Sequence, residues 1–128
     1  MNEERLTMVD ALPDIKAALE GLDTDITYTV SAQWPRSAPT GALITITELD
    51  NAQVAGLLVV DRLSYQIDLW GTDADELRTL APLVNAAMLS LGFLRDYAGA
   101  LTMEGSSYYR KTLRFGRRVD KRWMRLID

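Results

Sequence analysis

Hydrophobic and polar positions change period several times along this chain, and each change marks an element. Met8, Leu12, Ile15, Leu19 and Leu22 step by four and three residues, which predicts a helix with one buried face over about 3–22. Pro13 falls inside that pattern. An interior proline lacks the donor its turn needs, so the main body of the helix is expected to start near Pro13, with Gly21 as its stop. Positions 26–34 then alternate, with Ile26, Tyr28 and Val30 against Thr27, Thr29 and Ser31, the pattern of a half-buried strand. Two prolines and a glycine within 35–41 predict an exposed loop, and 42–48 alternates again as a second strand. A turn is expected around 49–51.

Positions 57–70 form a long β pattern whose second half sets Tyr65, Ile67 and Leu69 against Ser64, Gln66 and Asp68. Asp61-Arg62 in its middle predicts a bend or bulge. Thr72 or Asp73 caps a following helix, with Asp75 and Glu76 in its first turn, where negative charge suits the helix dipole. Leu77, Leu80, Ala81, Val84, Ala87, Met88 and Leu91 keep the spacing of a single buried stripe. Pro82 is expected to kink that helix, and Gly92 to close it in a left-handed conformation. A short strand at 93–97, a connection at 99–107 and a last strand at 108–119 complete the chain, followed by a basic tail at 120–128. The order α-β-β-β-α-β-β predicts one α+β domain over 1–128. Its sheet is mostly antiparallel, with about five strands and both helices packed on it.

Composition narrows the chemistry. The chain contains no histidine and no cysteine. Ser-His-Asp and Cys-His catalysis, disulfides and thiolate metal sites are therefore excluded. The N-terminal residues are polar and acidic, without the order of a secretory signal, and the longest apolar run, 55–60, is too short to span a bilayer. The chain is thus expected to fold in a cytoplasm, away from membranes. Net charge is −4, but 105–128 carries +6 and 1–104 carries −10. An acidic body with a basic end favours oriented association.

Carboxylate pairs such as Asp23 and Asp25, Asp61 and Asp68, or Asp73, Asp75 and Glu76 invite an acid/base or metal reading. Carboxylates at a helix start more often complement the dipole, and Asp23-Thr24-Asp25 lacks the length of a calcium loop. No metal and no cofactor is assigned. The basic last strand, with Tyr108, Tyr109 and Phe115 among its cations, has three readings: a solvated strand face, a protein contact surface, or a nucleic-acid surface. Trp34 and Trp70 are strand-end core residues or interface anchors.

Three stretches, taken in order, carry a resemblance. They are Leu63-Ser64-Tyr65-Gln66-Ile67-Asp68-Leu69-Trp70, then Met88-Leu89-Ser90-Leu91-Gly92-Phe93-Leu94-Arg95 after an acidic helix start, and Tyr109-Arg110-Lys111-Thr112-Leu113-Arg114-Phe115 closing in Val119-Asp120. With Asp50-Asn51 before the long strand, this succession resembles the tail terminator, or tail-to-head joining, family of long-tailed bacteriophages, over about 26–120. The resemblance implies a non-enzymatic tail completion subunit without a cofactor, which closes with its own copies into a ring, commonly six-fold. That ring would sit on the tail tube protein and face the head-completion or connector protein. DNA would pass only as cargo, and the site of action would be the virion neck after assembly in the host cytoplasm.

A ring needs a patch on one copy that meets a different patch on the next. Charge and position put the expected protein interface at Arg110, Arg114, Arg117, Arg118, Lys121, Trp34 and Arg36. Reversing Arg114, Arg117 and Arg118 to Glu is expected to abolish assembly and spare the fold. The alternative is a small ligand- or peptide-binding α+β module with no phage role. A carboxylate-dependent enzyme is a third reading, for which no acid/base cluster stands out.

Overall fold

The computed structural model describes residues 8–54 and 60–120. Eight elements follow in order: α1 (Leu12–Glu20), β1 (Tyr28–Ser31), β2 (Ala42–Gln53), β3 (Val60–Gly71), α2 (Ala74–Ser90), β4 (Leu94–Ala98), β5 (Thr102–Met103) and β6 (Tyr109–Asp120). This is the expected α+β class, with a two-residue sixth strand, β5, added in the connection before β6. The sheet runs β1-β2-β3-β6-β4, and β5 also pairs with β6.

Two features of that order were not expected. The last strand lies inside the sheet, paired with β3 along its whole length on one side and with β4 and β5 on the other. In addition, β1 pairs with β2 in parallel, because the 32–41 loop carries the chain back before β2 starts beside Tyr28. All other pairs are antiparallel.

Both helices cover one face. Ile15 and Leu19 of α1, and Leu77, Leu80, Val84 and Met88 of α2, pack on Ile44, Ile46, Leu63, Tyr65, Ile67, Leu113 and Phe115. Each of these strand residues belongs to the apolar half of a two-residue alternation, so one face of the sheet is dry. At roughly 25 cal/mol per Å² of apolar surface removed from water, this layer is the main source of stability.

Several boundaries shift for physical reasons. Residues 8–11 are not helical, and α1 begins at Leu12 with Pro13 in its first turn, where a missing donor costs nothing. Asp10 Oδ1 accepts from Leu12 N at 3.0 Å, in place of a cap from Ala11. The turn expected at 49–51 is instead strand. Leu49 is an extra residue between the Glu48–Tyr65 and Asp50–Ser64 pairs, a bulge in β2, while Asp61 and Arg62 pair regularly in β3. The turn-forming types there serve side-chain contacts: Asn51 Nδ2 donates to Val9 O at 2.8 Å, and Asp50 meets Arg62. Residues 55–59, with the expected start of the long strand at 57, and the basic tail from position 121 lie outside the described residues.

Asp73 is the cap of α2, its Oδ1 accepting from Asp75 N at 2.9 Å and Glu76 N at 3.4 Å. The helix continues through Pro82. That residue and Arg78, whose carbonyl loses its intrahelical partner, both face solvent, where water can take the bond. At the other end, Gly92 has φ +87, and Phe93 N donates to Met88 O while Gly92 N donates to Leu89 O. This double bond, with Met88 and Phe93 both fully buried, is a Schellman cap. Gly92→Ala is expected to cost about 1–2 kcal/mol, since a Cβ opposes that φ; an unchanged urea midpoint would contradict the assigned cap.

Candidate interaction surface

The face of the sheet away from the helices is polar and built in rungs. Alternation along β3 sends Ser64, Gln66, Asp68 and Trp70 outward, and the register sets them beside Gly116, Arg114, Thr112 and Arg110 of β6. On the β2 side the same rungs continue through Thr47, Thr45 and Leu43.

Asp68 lies at the centre and is fully buried. Its Oδ1 accepts from Arg110 Nε at 2.9 Å and from Thr112 Oγ1 at 2.6 Å, and its Oδ2 accepts from Gln66 Nε2 at 2.9 Å. Three donors satisfy the carboxylate, one of them a cation, which is what allows a charge to be held away from water. Arg114 Nε donates to Gln66 Oε1 at 3.0 Å, so the chain of bonds continues into the next rung.

Arg110 also joins the sheet to the 32–41 loop. Its guanidinium lies 4.3 Å from the Trp34 ring centroid and 4.7 Å from that of Trp70. The two indoles meet edge to face at 5.3 Å, Trp34 Nε1 donates to Thr47 Oγ1, and Trp70 Nε1 donates to Thr45 Oγ1. Each cation–π contact contributes about 0.5–2 kcal/mol, depending on its exposure. The loop thus closes over one end of the outer face. A concavity of 380 Å³ remains there, lined by Trp34, Arg36, Trp70, Glu104, Tyr108 and Arg110 among others.

The expected interface residues therefore divide. Trp34, Arg36 and Arg110 meet in this concavity, far apart in sequence and adjacent in space. Arg114 follows on the same face, stacked 4.9 Å from the Tyr97 ring centroid, and Arg118 is exposed at the far end. Arg117 does not belong with them. Its odd position in β6 turns it toward the helices, where it is 7% exposed and donates to the carbonyls of Leu91 and Arg118. A glutamate there would strike the fold, so the triple reversal cannot spare it. Lys121 lies outside the described residues.

The acidic groupings also separate. Asp61 and Asp68 face opposite sides of β3, Asp23 and Asp25 are exposed, and Asp73 is occupied as a cap. Among the described residues no group of three or more His, Cys, Asp or Glu is placed to hold a metal ion. No described helix is long and apolar enough to cross a membrane. What the sequence did not signal is the role of Asp68 as the centre of the outer face; the only available hint was an acidic residue in an otherwise buried strand.

One shifted group lies on the inner face. Tyr65 is fully buried, and its hydroxyl donates to Glu48 Oε2 at 3.1 Å. Burial, and then the Glu48 carboxylate, hold its phenol well above the ordinary tyrosine range. The unfolded chain releases this proton near pH 10, while the folded chain retains it. The contribution is therefore complete below about pH 10 and lost as pH rises beyond it. Urea midpoints are expected to be level to pH 9 and to fall by pH 11, a fall smaller in Tyr65→Phe; an equal fall in both would contradict this assignment.

A scan against known protein families and a search of curated proteins both return no match to this chain.

Proposed function

We propose that this chain is a structural, non-enzymatic assembly subunit that closes with its own copies into a ring on the tail tube of a long-tailed phage and joins it to the head connector. Such a subunit would be made in the host cytoplasm and end in the virion neck. The observation that carries the reading is the outer sheet face. It presents Trp34, Tyr97 and Arg114, residue types enriched in protein contact surfaces, with Trp34 47% and Tyr97 46% exposed. The ordered motifs of β3, the end of α2 and β6 support the reading independently, as does the opposition of an acidic body to a basic last strand.

The residues also speak to the other readings. A nucleic-acid surface needs ring faces open to bases, but Arg110 already occupies the space against Trp34 and Trp70. An acid/base enzyme needs carboxylates converging within reach of substrate; Asp68 is enclosed by its three donors, and Glu104 is the single acidic residue among those lining the concavity. The concavity at Trp34 is the feature that favours a ligand- or peptide-binding module instead.

Light scattering separates the two. The chain is expected to reach a ring-sized multiple of 14.3 kDa, alone or on addition of its tail tube protein, and to lose mass as salt rises. A particle of 14.3 kDa that ignores the tube protein would turn the assignment to the binding module.

A further inference from the structure

We infer that the open end of the outer sheet face, around Arg114 and Arg118, is the docking surface for the acidic helical layer of a second copy of this chain. The inference rests on the assembly reading and names the contact that reading needs.

At this end Arg114 and Arg118 are both exposed. Leu94 is 71% exposed and Tyr97 46%, flanking Arg114 in the register of β4 and β6. Arg118 stands directly opposite Arg62 across β6 and β3. Like charges facing each other across a strand pair repel. Arg62 is partly compensated by Asp50 at 3.5 Å, through an exposed contact of little strength. Arg118 is exposed, and its guanidinium forms no ion pair among the described residues; the exposed Asp96 carboxylate, near Gly116 on the same face, offsets only part of the charge of Arg62, Arg114 and Arg118. An anionic partner would relieve this arrangement, and apolar side chains beside the arginines would exclude water from the contact.

The complementary surface is on the same molecule. Around α1, the turn after it and the start of α2, the exposed residues Asp14, Glu20, Asp23, Asp25 and Asp75 outnumber Lys16 and Arg78, the exposed cations there among the described residues. The two surfaces lie on opposite sides of the sheet, one outer and one behind the helices. A single copy cannot bring them together, and the next copy can. Such a contact is heterologous, and repeats of it close a ring or extend a filament.

The test uses two full-length charge variants. Arg114→Glu with Arg118→Glu alters the sheet face; Glu20→Lys with Asp23→Lys and Asp25→Lys alters the helical layer. All of these side chains are exposed, and circular dichroism melting is expected to show both variants folded. Each variant alone is expected to fall to 14.3 kDa under conditions where the unaltered chain associates, and an equimolar mixture to regain the larger mass. Variants that associate like the unaltered chain would overturn the inference, and so would a mixture that stays at 14.3 kDa. Binding of both variants to tail tubes as rings would overturn the inference and leave the assembly reading standing. Self-association that obeys the charge swap but ignores tubes would do the reverse.

Discussion

Replacing Asp68 with alanine is expected to cost about 3–5 kcal/mol, the range for breaking a buried ion pair by removing one partner. The size follows from what is left behind. Arg110 would keep its charge with its side chain only 19% exposed, Glu104 standing 3.9 Å away as a weaker substitute. Thr112 and Gln66 would lose acceptors in the same enclosed row. A small domain is stable by roughly 5–15 kcal/mol, so the loss is a large part of the total. Asp68→Asn keeps an oxygen for Arg110 and Thr112 but loses the charge, and about 1–2 kcal/mol is expected. Urea denaturation followed by tryptophan fluorescence reads both effects, because Trp34 and Trp70 flank Arg110. A loss below about 1 kcal/mol for Asp68→Ala would show that the row does not depend on its carboxylate.

The second large effect contrasts two adjacent arginines. Arg118→Glu is expected to change stability by no more than about 0.5 kcal/mol, as for most exposed substitutions. Arg117→Glu is expected to cost more than about 4 kcal/mol. Its new carboxylate would sit against the Leu91 carbonyl at the C-terminal end of α2, where the helix dipole is already negative. It would also leave the space the arginine fills beside the Phe93 ring. Equal urea midpoints for the two variants would mean that Arg117 is not turned inward. The comparison also bears on assembly: a loss of association in an Arg117 variant reports on the fold, and only Arg114 and Arg118 report on the surface.

Much of the architecture was legible because it depends on local rules. The stripe from Leu77 to Met88, the cap at Asp73 and the stop at Gly92 each rest on residues within a few positions of one another. The alternation of β3 likewise assigned Tyr65, Ile67 and Leu69 to one face before any partner strand was known. Where a local signal had a second use, it misled. Asp50 and Asn51 have the types of a turn, yet here they serve Arg62 and Val9 from a bulged strand. In β6, a row of cations reads as one surface, although strand geometry turns alternate members to opposite faces.

The candidate surface shows the same division. Trp34, Arg36 and Arg110 could be named individually as candidate contact residues from their types and positions. Their meeting depends on the 32–41 loop returning over the sheet and on β6 lying beside β3, and both are long-range pairings. The sequence by itself determined the α+β class, the ends of α2, the apolar faces and the imbalance of charge, because periodicity, capping and composition act locally. Only the tertiary structure decided that β6 is interior, that Asp68 centres the outer face and that Arg117 turns inward. Strand order and register join residues more than 40 positions apart, as Asp68 and Arg110 are, and no local pattern encodes which strands will meet.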